Sequence, residues 1–229
     1  INGKNAKEFR AGLGKKPLIA GLNVGVTAPY RWKDSVKSDA ENRIWTAEAI
    51  ANGMRPRVGK FSATLHDDRW LDVFADLYEW HYRSEQYLRN ETPLAEVAVV
   101  YSQQTGTYYG GQQAREKVED HILGIYHALV EARIPFEMVH DRLLDEEHLA
   151  PFKTLILPNI AALSDQQCDQ LRAFVDRGGS LVATFETSLY DEWGQRRPNF
   201  GLADLFGVDF DGELQGPMQN SYLRLEEDP

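Results

Sequence analysis

Five side chains in the first third of the chain have the chemistry to hold a polyhydroxylated ligand: Arg31, Trp32, Lys60, His66 and Trp70. They follow two short strand-like runs. An indole face stacks on a sugar ring, and cationic or imidazole groups hydrogen-bond to its hydroxyls. The plain alternative for Trp70 is that it opens a helix and packs. Further along, Glu186, Asp191 and Glu192 cluster after another strand-like run. Paired carboxylates serve as acid and base in sugar hydrolysis, but three acids in a polar loop also serve as solvated or capping groups. The same loop carries Tyr190 and Trp193. With Tyr108 and Tyr109, these aromatics are candidates for a contact with another chain or domain.

Other chemistries find less support. Cys168 is the single cysteine. It lies inside an amphipathic helical pattern on the stripe of Leu171 and Val175, which suits a buried thiol rather than a nucleophile on a strand-to-helix elbow. One cysteine forbids an internal disulfide and a cysteine cage for a metal. The histidines are His66, His81, His121, His127, His140 and His148, and none forms an HExxH motif. His121 and His127 fall on different sides of one helix, so no metal site is expected. Gly110-Gly111 precedes a helix but lacks the spacing of a dinucleotide fingerprint and the lysine of a P-loop; a plain turn and no cofactor are expected.

The net charge of −10 is unevenly spread. Residues 1–92 hold 15 basic and 12 acidic side chains, whereas residues 93–229 hold 10 and 23. The shift marks a boundary near Asn90-Glu91-Thr92-Pro93. An acidic surface repels phosphate backbones, so nucleic acid is not an expected partner. No apolar run reaches the roughly 18 residues of a membrane span, so the chain reads as soluble, with no compartment indicated.

The elements that must position these residues fall into two groups. Pro17–Val24 and 56–62 read as strands. Asp39 is placed to cap a helix from Ala40 with Ile44, Ala47, Glu48 and Ala51 at helical spacing, ended by Asn52-Gly53. A second helix is expected from about Asp68 to Leu88, its stripe marked by Leu71, Phe74, Leu77, Tyr78 and Tyr82. Two βα units make no closed fold and leave a sheet edge in need of a partner. The second group is more complete. Strands are expected at 97–102, 136–139, 153–158 and 180–185, alternating with helices that include Val118, Ile122, Ile125 and Leu129 on one face. Ser164 or Asp165 caps the next helix, Gly178-Gly179 ends it, and short helices are expected at 143–149 and 202–207. This spacing argues for an α/β, flavodoxin-like parallel sheet with helices on both faces. Ligands in such folds bind beyond the carboxyl ends of the strands, at the loops 103–111, 159–163 and 186–195.

From Val97 to Phe210 the chain resembles family 42 beta-galactosidases. The resemblance is carried by Val97–Ser102, Arg133-Ile134-Pro135-Phe136, Leu155-Ile156-Leu157-Pro158, Phe174-Val175-Asp176-Arg177-Gly178-Gly179-Ser180-Leu181-Val182, Asp191-Glu192-Trp193-Gly194 and Gly201–Val208. It implies that residues 93–212 are that family's trimerisation domain, with a class I glutamine-amidotransferase-like fold lacking its active site. It further implies that residues 1–92 are the terminal βα units of a (β/α)8 barrel, with strand 7 at Pro17–Val24 and strand 8 at 56–62. Residues 213–229 would open a further segment. The family keeps a nucleophile glutamate at the end of strand 7 and an acid/base glutamate near strand 4. Here strand 7 ends Gly21-Leu22-Asn23-Val24-Gly25, without a carboxylate, and Glu41 and Glu48 come too late. Strand 4 has no counterpart, so no catalytic residue is assigned.

The expected function is therefore a fragment of a glycoside hydrolase, comprising the end of the catalytic barrel and an oligomerisation domain. Carbohydrate and a homo-oligomer, by resemblance a trimer, are the expected partners, and no hydrolysis is expected from this chain alone. Two alternatives are a non-catalytic carbohydrate-binding or structural module and an amidotransferase-like sugar-utilisation protein.

Overall fold

The computed structural model describes residues 2–25, 35–60, 67–89 and 93–214. Two parallel sheets organise them. The first pairs β1 (Leu18–Asn23) with β2 (Met54–Gly59), in register from Leu18 opposite Met54 to Asn23 opposite Gly59. Helix α2 (Asp39–Ala51) joins them. Its cap is Ser38, whose side chain accepts from Glu41 N at 3.2 Å, one residue earlier than the Asp39 cap expected from sequence. Its buried residues are Asn42, Thr46, Ala49 and Ile50, while Ile44 is exposed; the buried face is not the predicted stripe.

Helix α3 (Trp70–Ser84) returns along β2. Tyr78 Oη donates to Pro56 O at 3.1 Å, and Arg55 lies 3.5 Å from Glu85. Val73 and Phe74 are buried. Leu71, Tyr78 and Tyr82, expected in the core, are exposed. Apolar spacing specifies which side chains share a face, but burial requires something to cover it.

The second sheet has the order β4 (Phe136–His140), β3 (Val97–Tyr101), β5 (Thr154–Pro158), β6 (Ser180–Thr184), parallel throughout. Side chains alternate across it. Ala98, Val100, Leu155 and Leu157 pack with Leu144, Leu149, Leu171 and Phe174 on one face. That face is covered by α5 (Glu146–Leu149), α6 (Asp165–Asp176) and α7 (Ala203–Phe206). Val99, Met138 and Ile156 pack on the other with Val118, Ile122, Tyr126 and Leu129, the last three from α4 (Asp120–Glu131). Thr105–Gly110, expected as a polar loop, forms a wide helical turn.

Helix α6 starts in a capping box, Ser164 with Gln167, and ends with Gly179 N donating to Phe174 O at 3.0 Å. Gly178 has φ +94°, and a Cβ on Gly179 would meet the Phe174 ring at 2.2 Å, so both glycines are required there.

A helix that sequence patterning missed, α1 (Asn2–Leu13), ties the two sheets together. Lys4 is buried between Glu8 and Glu119, with its Nζ 2.8 Å from the latter. Lys7 donates to Phe136 O at 2.9 Å and lies 3.2 Å from Glu137, both on β4. Ala11 joins the Val99–Ile122 cluster. Gly3 comes so close to Tyr126 Oη and Glu48 Oε1 that a Cβ would sit 2.6 and 2.7 Å from them.

Candidate functional site

The carboxyl ends of β1 and β2 hold one half of the predicted site. Arg31, Trp32 and His66 lie outside the described residues. Asn23 ends β1, and its Oδ1 accepts from Gly25 N at 3.0 Å. Lys60 directly follows β2, its aliphatic stem alongside Gly25. Trp70 occupies the first turn of α3, its ring edge-on to Phe74 at 6.0 Å. Its Nε1 is buried and has no acceptor among the described residues. Helical packing thus accounts for the ring but not for the indole N–H. Between Lys60 and Trp70, Asp67 is held by Arg69 at 2.9 and 2.5 Å. That guanidinium draws the carboxyl down to about 2. Asp67 is thus an ion-pair partner held charged, unsuited to donating a proton near neutrality. Among the described residues, neither strand end carries a carboxylate.

The second sheet brings the predicted aromatics together at its carboxyl edge. Glu186 follows β6 and is buried. Tyr109 Oη donates to one of its oxygens at 2.5 Å and Tyr190 Oη to the other at 3.1 Å. The two rings lie 4.9 Å apart. Burial first, then the neighbouring carboxylate, pushes both phenols above their ordinary range. Tyr108 meets Trp193 edge-on at 5.4 Å, and both rings are exposed. Gly194, at φ +77°, lets the chain pass Tyr108 closely; a Cβ there would sit 2.3 Å from Tyr108 O. Asp191 is used locally, accepting from Trp193 N and Gln195 N at 3.0 and 2.8 Å. Asn159, at φ +50°, donates to Lys117 O at 2.6 Å and accepts from Glu186 N at 3.2 Å. Tyr109, Tyr190 and Glu186 thus meet beyond the carboxyl ends of the strands, where doubly wound sheets take their ligands.

A second buried polar cluster was not foreseen. Ser102 Oγ donates to Asp141 Oδ2 at 2.7 Å, and Gln104 N donates to the same oxygen at 3.1 Å. His140 Nδ1 lies 2.7 Å from Asp141 Oδ1. Gln167 Nε2 donates to Asp141 O at 2.8 Å. Burial favours the protonated Asp141, but the hydrogen bonds to His140, Ser102 and Gln104 outweigh it and hold the carboxyl below its usual range. The carboxylate lies between the serine and the imidazole, so the hydroxyl donates to Asp141 and not to His140, and the cluster locks the strand ends. The sequence signal for it was a serine immediately after β3 and an aspartate immediately after β4. Cys168 is buried in the core, and burial pushes its thiol up to about 11, which leaves it unreactive at neutral pH.

The second unit is a four-stranded parallel sheet of the α/β class, its one cysteine buried in the core. Residues 95–211, just over half of the chain, match the family described as beta-galactosidase trimerisation domain, and the chain belongs to that family. No curated protein matches the sequence. Among solved structures, the beta-galactosidase from Bacillus circulans sp. alkalophilus is similar at 19% identity and TM-score 0.75, over 95% of this chain and 35% of that one. A beta-galactosidase catalytic mutant from G. stearothermophilus gives 19% and 0.72, over 95% and 34%. An alpha-L-fucosidase from Paenibacillus thiaminolyticus gives 23% and 0.58, over 82% and 27%. The chain therefore spans about a third of the length of the structures it resembles.

Proposed function

We propose that this chain supplies an oligomerisation domain, residues 93–212, together with two βα units of a glycoside-hydrolase-type (β/α)8 barrel in residues 1–92. The observation that carries this reading is the match of residues 95–211 to a trimerisation-domain family. The first sheet supports it: β1 and β2 pair only with each other among the described residues, and their open face carries Ile19, Arg55 and Arg57. In a closed barrel that face would turn inward.

The partners proposed are further copies of the chain, as a homotrimer, and a carbohydrate. Arg31, Trp32, Lys60, His66 and Trp70 would line the barrel side of a sugar site, with Tyr108, Tyr109, Tyr190 and Trp193 on the assembly side. Hydrolysis is not expected from these residues alone. A glycosidase needs two carboxyl groups held about 5 to 9.5 Å apart, and the described strand ends offer Asn23 and Lys60 instead.

Light scattering on the 229-residue chain tests the assembly reading. A mass of three chains is expected, and a monomer at every concentration overturns it. Turnover of aryl β-galactosides by the same preparation is expected to be nil; measurable hydrolysis would refute the non-catalytic assignment.

A further inference from the structure

The open face of the first sheet carries arginines and no acidic side chain. Residues alternate along each strand. Leu18 and Leu22 turn to the covered side. Ile19, Gly21 and Asn23 turn to the open one, where parallel pairing sets them opposite Arg55, Arg57 and Gly59. Arg55 has a partner in Glu85, at 3.5 Å. Arg57 is exposed and makes no ion pair or hydrogen bond among the described residues. The backbone around it is bare. Gly21 lies opposite Arg57, and Gly59 lies two residues further along the same strand. A Cβ built on either glycine would meet nothing within 4 Å. Glycine inside a strand often marks the close approach of a ligand.

The carboxyl end of the sheet continues the pattern. Asn23 Oδ1 is taken up by Gly25 N, which leaves the amide NH2 to offer. Lys60 brings an ammonium, and Trp70 Nε1 is a buried donor without an acceptor. Ammonium, guanidinium and indole N–H groups donate only. Among the nearby acids, Asp67 is taken up by Arg69, and Asp39 and Glu41 belong to the first turn of α2, where the helix dipole suits them. A neutral sugar hydroxyl both donates and accepts, whereas an ionised acid group only accepts. A face of donors therefore matches an anion, and the planar fork of an arginine matches paired anionic oxygens.

We propose that this face binds an acidic saccharide, one whose ring carries a carboxylate or a sulfate group, and that Arg57 is the residue that selects it. The inference rests on the sugar reading above and names the class of sugar. The anionic group lies over Gly21 and Gly59 against the Arg57 guanidinium, and the ring extends toward Lys60 and Trp70. Where the face turns inward in a barrel, the ligand supplies the counter-charge that an enclosed guanidinium requires.

Ligand-observed saturation-transfer NMR on the full chain tests this, with galacturonate, galactose 6-sulfate and galactose as probes and thermal melting as the folding control. Both acidic sugars are expected to bind about tenfold or more tightly than galactose, the scale of one hydrogen bond to a charged group. That preference is expected to shrink with added salt. Arg57→Gln keeps a hydrogen-bonding side chain without the charge and is expected to remove the preference. Gly21→Val suits a strand and fills the bare floor; it is expected to weaken the acidic sugars about tenfold with unchanged melting. If galactose binds as tightly as the acidic sugars to the wild type, the acidic assignment is wrong while the sugar reading stands. A preference that survives in folded Arg57→Gln overturns the role of Arg57. Inorganic sulfate that displaces galactose 6-sulfate at equal concentration would make this a site for free anions and overturn the proposal. A chain that binds none of the three sugars removes both readings.

Discussion

The two sheets use similar residues and reach different degrees of closure. In the second, Val99, Val100, Leu155 and Leu157 have no exposed surface, because helices cover both faces. In the first, Leu18 and Leu22 are buried on the side of α2, while Ile19 on the other side is 63% exposed. Aliphatic residues in a parallel strand predict burial on both faces, but the prediction is conditional on a neighbouring layer. The difference teaches that the first sheet has the pattern of an internal element and the surroundings of a surface one. Helix α1 is the exception that crosses between them, which makes residue 93 a boundary in composition and not in packing.

The sharpest way to break this contrast is to truncate a side chain in each half. Leu171→Ala, in the closed core, is expected to cost about 2 to 5 kcal/mol in urea unfolding. Ile19→Ser, on the open face, is expected to change stability by less than about 0.5 kcal/mol. Comparable losses would mean that the first sheet is covered after all.

The role of α1 is sharpened next. Gly3→Val would force side-chain atoms against Tyr126 and Glu48, and a loss of about 1 to 3 kcal/mol is expected. Removing residues 1–92 strips the β4 face; that piece is expected to bind a hydrophobic dye that the whole chain does not bind. A truncated piece that melts like the full chain would show that α1 contributes nothing.

Asp141→Asn is expected to cost about 1 to 3 kcal/mol at neutral pH, since the buried hydrogen bonds of the carboxylate are disturbed. The pH dependence has a definite sign. The folded carboxyl lies below its ordinary range, so its contribution is present above the unfolded pKa and is lost as pH falls through the folded one. Wild type and variant should therefore converge in acid. A stability gap that stays constant from neutral pH to below 3 would exclude the carboxylate as its source.

The smallest effect belongs to the surface. Arg83 and Glu79 form an exposed pair on α3, and Arg83→Ala is expected to alter the melting midpoint negligibly. In the same samples Cys168 should resist maleimide labelling until the chain unfolds. Fast labelling of folded protein would contradict its place in the core.

Much of the second sheet was legible from residue pattern alone. Its strands are short, β-branched and punctuated by turn formers, and Ser164 or Asp165 marked the start of α6, where the structure chose Ser164. The gathering of Tyr109, Tyr190 and Glu186 was less so, because it depends on two loops 77 residues apart meeting over β5. The Ser102–Asp141–His140 cluster was missed for the same reason, and α1 because its lysines find Glu119 and Phe136, more than a hundred residues away.

The sequence by itself determined the alternation of strand and helix, the parallel class, the buried thiol and the lack of a carboxylate at the end of β1. These follow from local propensity, periodicity and residue identity, which need no partner. Tertiary structure alone decided which apolar stripes are covered, that α1 bridges the sheets, and that Phe185, at φ +54°, is turned outward. Burial and backbone strain are properties of neighbours, and a single strand or helix does not carry its neighbours with it.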